Sequence, residues 1–168
     1  MKKELFIPDR IFDDVYGITP EYLLSENIKF VLSDIDNTLV KYGDRKPGEK
    51  LLSWFAELRA AGIKTALISN NNKKRVRIFN KELNFPAYHR SGKPSRRVVF
   101  KLMDEMGAKK SNTCIIGDQI FTDVLCAKRA GIRAFFVTSI ESPKDLFGKL
   151  KKKLEKKFIE EYHKKYGE

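Results

Sequence analysis

The chain has 168 residues, 42% of them hydrophobic and 33% charged, with a formal net charge of +12. That length suits one domain with a buried core, and that composition excludes intrinsic disorder. No apolar run reaches membrane-spanning length, the opening Met1-Lys2-Lys3-Glu4 leads into no signal-peptide core, and the two cysteines, Cys114 and Cys126, make no disulfide framework.

The charge predicts an anionic partner, and nucleic acid, an anionic lipid surface and a phosphorylated substrate all fit it. Cys114 lies in an apolar run and reads as a core thiol, as expected of a reducing, cytoplasmic compartment.

In chain order, residues 1–27 show no clear period and are expected to pack onto the core. A strand is predicted over 28–33. A helix follows over 49–61, with Leu51, Leu52, Phe55 and Leu58 on one face and Gly62 as its stop. Then come a strand over 63–69, a basic helix over 73–83 and a short strand over 87–89. A helix over 95–106 lies between Pro94 and Gly107, followed by a strand over 113–117, a helix over 120–130 and a last strand over 132–137. Alternating strands and helices predict an α/β fold, a three-layer Rossmann-like parallel sheet with helices on both faces. The expected organisation is one domain over 1–142, with 1–27 as a packing segment, and a basic amphipathic helix over 143–168. In that helix Phe147, Leu150, Leu154, Phe158 and Tyr162 recur at helical spacing among Lys149, Lys151, Lys152, Lys153, Lys156 and Lys157. Two readings stay open there: the stripe packs on the domain, or the helix lies on an anionic membrane.

The chemistry concentrates at strand ends. Asp34-Ile35-Asp36-Asn37-Thr38 follows Phe30-Val31-Leu32, so two carboxylates stand where a buried strand runs out. Carboxylates are costly to desolvate, and the ends of parallel strands are where ligands bind in open α/β sheets. An Asx turn would also explain the aspartates. Ser69-Asn70 closes the second strand, where its hydroxyl and amide can meet a phosphate oxygen or cap a helix. Lys93-Pro94 sets a cation before a helix. Asp118, after Cys114-Ile115-Ile116-Gly117, is placed to bind a hard cation, with Asp123 in support; alone it would pass for a helix cap. Any one of these could arise by chance, but four in this order is a pattern.

Asp34 to Thr38, Ser69-Asn70, Lys93 and Gly117-Asp118 with Asp123 resemble the four motifs of the haloacid dehalogenase-like phosphatases, over roughly residues 28–137. The resemblance implies that Asp34 is a nucleophile forming an aspartyl-phosphate, and that Asp36 is general acid and then base. It implies that Lys93 offsets phosphate charge and that Ser69 and Asn70 bind phosphate. Mg²⁺ would be held by Asp34, the backbone carbonyl of Asp36 and Asp118. The segments 38–69 and 70–93 are too short for a cap domain, which leaves the site open to large substrates. Within the superfamily the chain is similar to the small capless group, subclass IIIA, that includes the YqeG-like proteins and the phosphatidylglycerophosphate phosphatases. That implies a phosphomonoester substrate of the phosphatidylglycerophosphate kind. Independently, the basic tail lets a cytoplasmic enzyme sit peripherally at a membrane through 143–168. Two alternatives remain: a phosphatase for nucleic-acid ends, suggested by Lys73, Lys74, Arg75, Arg77, Arg96 and Arg97, or a non-catalytic nucleic-acid-associated protein on the same scaffold.

Overall fold

The computed structural model describes residues 2–167. Among these residues six strands, β1 (Arg10–Phe12), β2 (Phe30–Ser33), β3 (Lys64–Ile68), β4 (Ala87–Tyr88), β5 (Thr113–Gly117) and β6 (Arg133–Val137), form one sheet in the order β1-β6-β5-β2-β3-β4. Every pairing is parallel. The helices are α1 (Pro20–Ser25), α2 (Glu49–Ala60), α3 (Lys73–Phe79), α4 (Arg97–Met106), α5 (Leu125–Ala130) and α6 (Leu146–Tyr166).

Alternation along the strands builds two cores. Val31, Leu67, Cys114, Ile116, Phe135 and Val137 point to one face and pack with α1, α2 and α3 through Leu23, Trp54, Leu58 and Phe79. Their neighbours Leu32, Ala66, Ile68, Ile115, Ala134 and Phe136 point to the other and meet α4, α5 and α6. A strand covered on both faces must be apolar throughout, which is why β2 and β5 read as continuous runs. The expected three-layer parallel fold is what the chain adopts.

Several boundaries differ from expectation for local reasons. Helix α3 ends at Phe79, short of 83, because the Asn80 amide bonds both the N–H and the carbonyl of Phe85 and turns the chain away. Helix α4 starts at Arg97, since Ser95 N–H closes a turn on the Gly92 carbonyl. Residues 120–124 form a wide turn with the spacing of a π-helix, and only Leu125–Ala130 is α-helical. Strand β1 has no counterpart in the predicted elements. It is three residues long and lies at the sheet edge, too brief for a period to be seen.

No helix among the described residues is long and apolar enough to cross a membrane.

Candidate active site

The sheet order places β2 beside β5, with β3 and β4 on one side and β6 and β1 on the other. Adjacent strands whose onward connections part in this way leave a crevice at their carboxyl ends. The expected residues converge there. Asp34 follows β2, its N–H bonded to the Ile116 carbonyl at 3.0 Å, so it extends the ladder. The carboxylates of Asp34, Asp118 and Asp123 come within 4.8 Å of one another, all buried.

Lys93 sits among them, 5% exposed. Its ammonium donates to Asp34 Oδ1 at 2.8 Å, to Asp123 Oδ1 at 2.6 Å and to the Ile68 carbonyl at 2.8 Å. All three of its protons are used. Burial opposes that charge, but Asp123 and Asp34 outweigh burial and hold the ammonium above the ordinary lysine range. The lysine is a fixed cation.

The carboxylates are strained electrostatically. Burial pushes Asp34 up to about 7; Lys93 opposes the shift, while Asp123 and Asp118 add to it. Burial likewise pushes Asp118 up to about 6, with Asp123 adding to it and Ser139, Lys152 and Thr38 partly offsetting it. Three carboxylates and one ammonium, all ionised, leave two uncompensated negative charges. That deficit matches one divalent cation, and the all-oxygen donor set suits a hard one. The buried Asn37 Oδ1, which has no hydrogen-bond partner among the described residues, lines a cavity with Asp118.

Asp123 supports rather than faces this space. Its Oδ1 accepts from Lys93, and its Oδ2 accepts from the Gln119 N–H at 3.1 Å. Gly117 is obligatory beneath it: a Cβ there would lie 2.2 Å from Asp123 Cγ. Thr38, on the loop after β2, bonds Asp118 Oδ1 at 3.1 Å and reaches Asp34 Oδ2 at 3.4 Å. That loop closes because Asn37 takes a left-handed φ of 61°, a conformation asparagine tolerates.

Asn70 serves the lysine. Its Oδ1 accepts from the Lys93 N–H and the Ser91 hydroxyl, both at 2.8 Å, and its Nδ2 donates to the Lys93 carbonyl at 3.0 Å. The side chain expected to meet phosphate therefore shapes the loop that presents Lys93. Ser69 Oγ accepts the Asn71 N–H at 3.0 Å and keeps its own proton to donate.

Asp36 stands apart from the three-carboxylate cluster. Its Oδ1 accepts from Arg75 Nε at 3.0 Å and Nη2 at 2.7 Å, and its Oδ2 accepts from Asn71 Nδ2 at 3.0 Å. Arg75, read from sequence as part of a basic surface, is bound to this carboxylate and to the Asp44 carbonyl.

Residues the sequence did not mark complete the site. Ser139, in the loop after β6, donates to Asp118 Oδ2. From α6, Lys152 donates to the Asp118 carbonyl at 3.1 Å and Glu155 accepts the Ile120 N–H at 2.8 Å. Ser139 follows a strand end, which was a usable signal. The α6 residues sit in a lysine run, which was not.

The titrations make a prediction for the metal-free protein. Asp34 and Asp118 both have folded-state values above the ordinary carboxylate value. Their stabilising contribution is therefore complete below about pH 4 and lost as pH rises through about 6 to 7. Asp34→Asn, which cannot ionise and leaves Lys93 paired with Asp123, will raise the unfolding free energy at pH 8 by on the order of a few kcal/mol, and the melting temperature with it. The gain will vanish near pH 4. Thermal melts of both proteins in chelator across that range check it, and a pH-independent difference would refute it.

The model of the family described as haloacid dehalogenase-like hydrolase matches residues 10–137. The chain is 33% identical over 159 residues to "Probable phosphatase YqeG" of Bacillus subtilis (strain 168), covering 95% of this chain and 92% of that protein. Among solved structures, it is similar in fold to an uncharacterized protein from Listeria monocytogenes serotype 4b, with a TM-score of 0.56 and 13% identity over 70% of this chain and 85% of that one. It is also similar in fold to the cobalt-bound deoxy-D-mannose-octulosonate 8-phosphate phosphatase from Haemophilus influenzae, with a TM-score of 0.52 and 18% identity over 82% of this chain and 90% of that one.

Proposed function

The chain belongs to the haloacid dehalogenase-like hydrolases as a phosphatase, and from that premise we propose that it is a Mg²⁺-dependent phosphomonoesterase acting through an aspartyl-phosphate on a surface-presented substrate, phosphatidylglycerophosphate or a lipid like it. The observation that carries the chemistry is the buried group of Asp34, Asp118 and Asp123 around Lys93.

In this reading an Asp34 carboxylate oxygen attacks phosphorus while the P–O bond to the leaving group breaks. Asp36 gives its proton to the departing alkoxide. A water then attacks the same phosphorus, Asp36 takes a proton from it, and the bond between phosphorus and Asp34 breaks to release phosphate. Asp36 Oδ1 takes two bonds from Arg75 and Oδ2 one from Asn71, so Oδ2 has the lone pair left for that proton. Lys93 neutralises charge on the phosphoryl oxygens and is fixed in advance. The Ser69 hydroxyl and the backbone N–H of Asn70 would receive a phosphate oxygen. Asp34, Asp118 and the Asp36 backbone carbonyl would hold the Mg²⁺. When bound, that ion screens Asp34 from its anionic substrate and offsets charge on the phosphate.

The substrate class rests on α6. Leu146, Phe147, Leu150 and Leu154 are 84%, 78%, 54% and 53% exposed. Lys149, Lys153, Lys156 and Lys157 surround them, also exposed. Phe147 and Gly148 border a cavity of about 250 Å³ whose other walls include Asn37 and Asp118. An anionic bilayer meeting this stripe would deliver a lipid headgroup beside the carboxylates, each near-surface lysine contributing about 1 kcal/mol.

Full-length protein with Mg²⁺ will hydrolyse phosphatidylglycerophosphate in mixed micelles faster than terminal phosphates of oligonucleotides or small sugar phosphates. It will sediment with anionic but not neutral liposomes, less so as salt shortens the Debye length below about 8 Å. Leu150→Ser with Leu154→Ser will lose sedimentation while retaining hydrolysis of an aryl phosphate. Preferred hydrolysis of oligonucleotide ends, with no binding to liposomes, would replace the lipid by nucleic acid as substrate.

A further inference from the structure

Helix α6 lies outside the matched residues 10–137, yet it reaches into the site. Three of its side chains grip one short stretch: Lys151 the Gln119 amide oxygen, Lys152 the Asp118 carbonyl, and Glu155 the Ile120 N–H. Glu155 is the unusual one. It is 1% exposed, its Oε1 accepts from Ile120 at 2.8 Å, and its Oε2 accepts no hydrogen bond among the described residues and faces the Lys152 ammonium at 3.4 Å.

A helix that only packs would place an apolar residue there. The next turns of α6 do so: Phe158 stacks on Phe6 at 4.9 Å, and Tyr162 is fully buried. A buried carboxylate has to be balanced by what it binds. What it binds is the first N–H of the wide turn Ile120–Val124, a group with no partner inside its own turn. That turn begins two residues after Asp118 and carries Asp123. The N–H just before it, of Gln119, is taken by Asp123 Oδ2. Two carboxylates thus hold consecutive N–H groups of this backbone.

We infer that Glu155 is a positioning residue for the metal site: by holding the Ile120 N–H it keeps the Asp118 loop in the shape that presents the carboxylate to a divalent cation. This rests on the Mg²⁺-dependent reading above. Outer residues that orient metal ligands typically change metal affinity about 10–100-fold when lost. Glu155→Leu keeps bulk but removes the acceptor, whereas Glu155→Gln keeps an oxygen for Ile120. Glu160→Ala, an exposed change on the same helix, is the control.

Two measurements suffice: calorimetric Mn²⁺ binding by the full-length protein, and the Mg²⁺ concentration for half-maximal hydrolysis of an aryl phosphate. Glu155→Leu will weaken both by about 10–100-fold, with kcat at saturating metal little changed. Glu155→Gln and Glu160→Ala will stay close to wild type. Metal binding by folded Glu155→Leu equal to wild type would overturn the inference, as would Glu155→Gln failing as badly as leucine. Should Glu155→Leu not fold, Glu155→Met is measured in its place. If neither folds, Glu155 is a folding residue and the inference fails. Wild-type protein that binds no divalent cation would instead sink the reading of the site itself.

Discussion

Asp34→Ala will leave a folded protein whose phosphatase turnover is lower by on the order of 10⁶-fold, the scale seen when a hydrolase loses its nucleophile. Folding survives because the substitution orphans no buried charge. Lys93 keeps its bonds to Asp123 Oδ1 at 2.6 Å and to the Ile68 carbonyl at 2.8 Å. The change also removes a carboxylate that burial already disfavours in the metal-free protein. Activity falls because neither remaining carboxylate of the cluster is free to replace it. Asp123 has both oxygens committed, to Lys93 and to the Gln119 N–H, and Asp118 accepts from Thr38 and Ser139. Steady-state assays on an aryl phosphate, with circular dichroism to verify the fold, check the result. A folded Asp34→Ala protein turning over near the wild-type rate would refute the assignment.

The site was legible where chemistry coincides with a strand end. Asp34 after β2 and Asp118 after β5 are marked by apolar runs that stop at a carboxylate, and parallel-sheet geometry then brings them together. What each polar side chain binds was not legible, because partners lie far apart in sequence. Asn70 looks like a ligand contact and holds Lys93. Arg75 looks like solvated surface and clasps Asp36. The tail divides for the same reason. Its apolar residues form one continuous stripe in sequence, but Phe158 and Tyr162 are covered whereas Phe147, Leu150 and Leu154 are not. The cover comes in part from Phe6 and Phe121, which no local pattern on α6 can reveal. The packing reading thus holds for the second half of the helix, while the first half stays exposed and leaves the membrane reading to experiment. This limits a simpler experiment: ending the chain after Ser142 would expose the core under Phe158 and free the Ile120 N–H, so it cannot isolate surface docking. Paired substitutions at the exposed half are the cleaner test.

Asp36→Asn will separate the two halves of the reaction. Proton transfer by a placed side chain contributes about 10²–10⁴-fold, and an amide cannot supply it. An alkyl phosphate needs a proton on its leaving oxygen, so its cleavage will slow by that factor and no burst will appear. An aryl leaving group departs without one. Its first step will stay near the wild-type rate, and the loss will fall on hydrolysis of the aspartyl-phosphate, where Asp36 activates water. The predicted signature is a burst of aryl alcohol, one equivalent per enzyme, followed by a steady state reduced by about 10²–10⁴-fold. Arg75 sharpens the test. It grips Asp36 Oδ1 through two nitrogens and also bonds the Asp44 carbonyl, so it fixes the carboxylate without touching the carboxylate cluster. Arg75→Met leaves the carboxylate present but loosely aimed, and will give a weaker version of the same pattern. A first step slowed equally for aryl and alkyl substrates would take the proton-transfer role from Asp36. It would leave Asp36 as a backbone ligand whose side chain only shapes the loop.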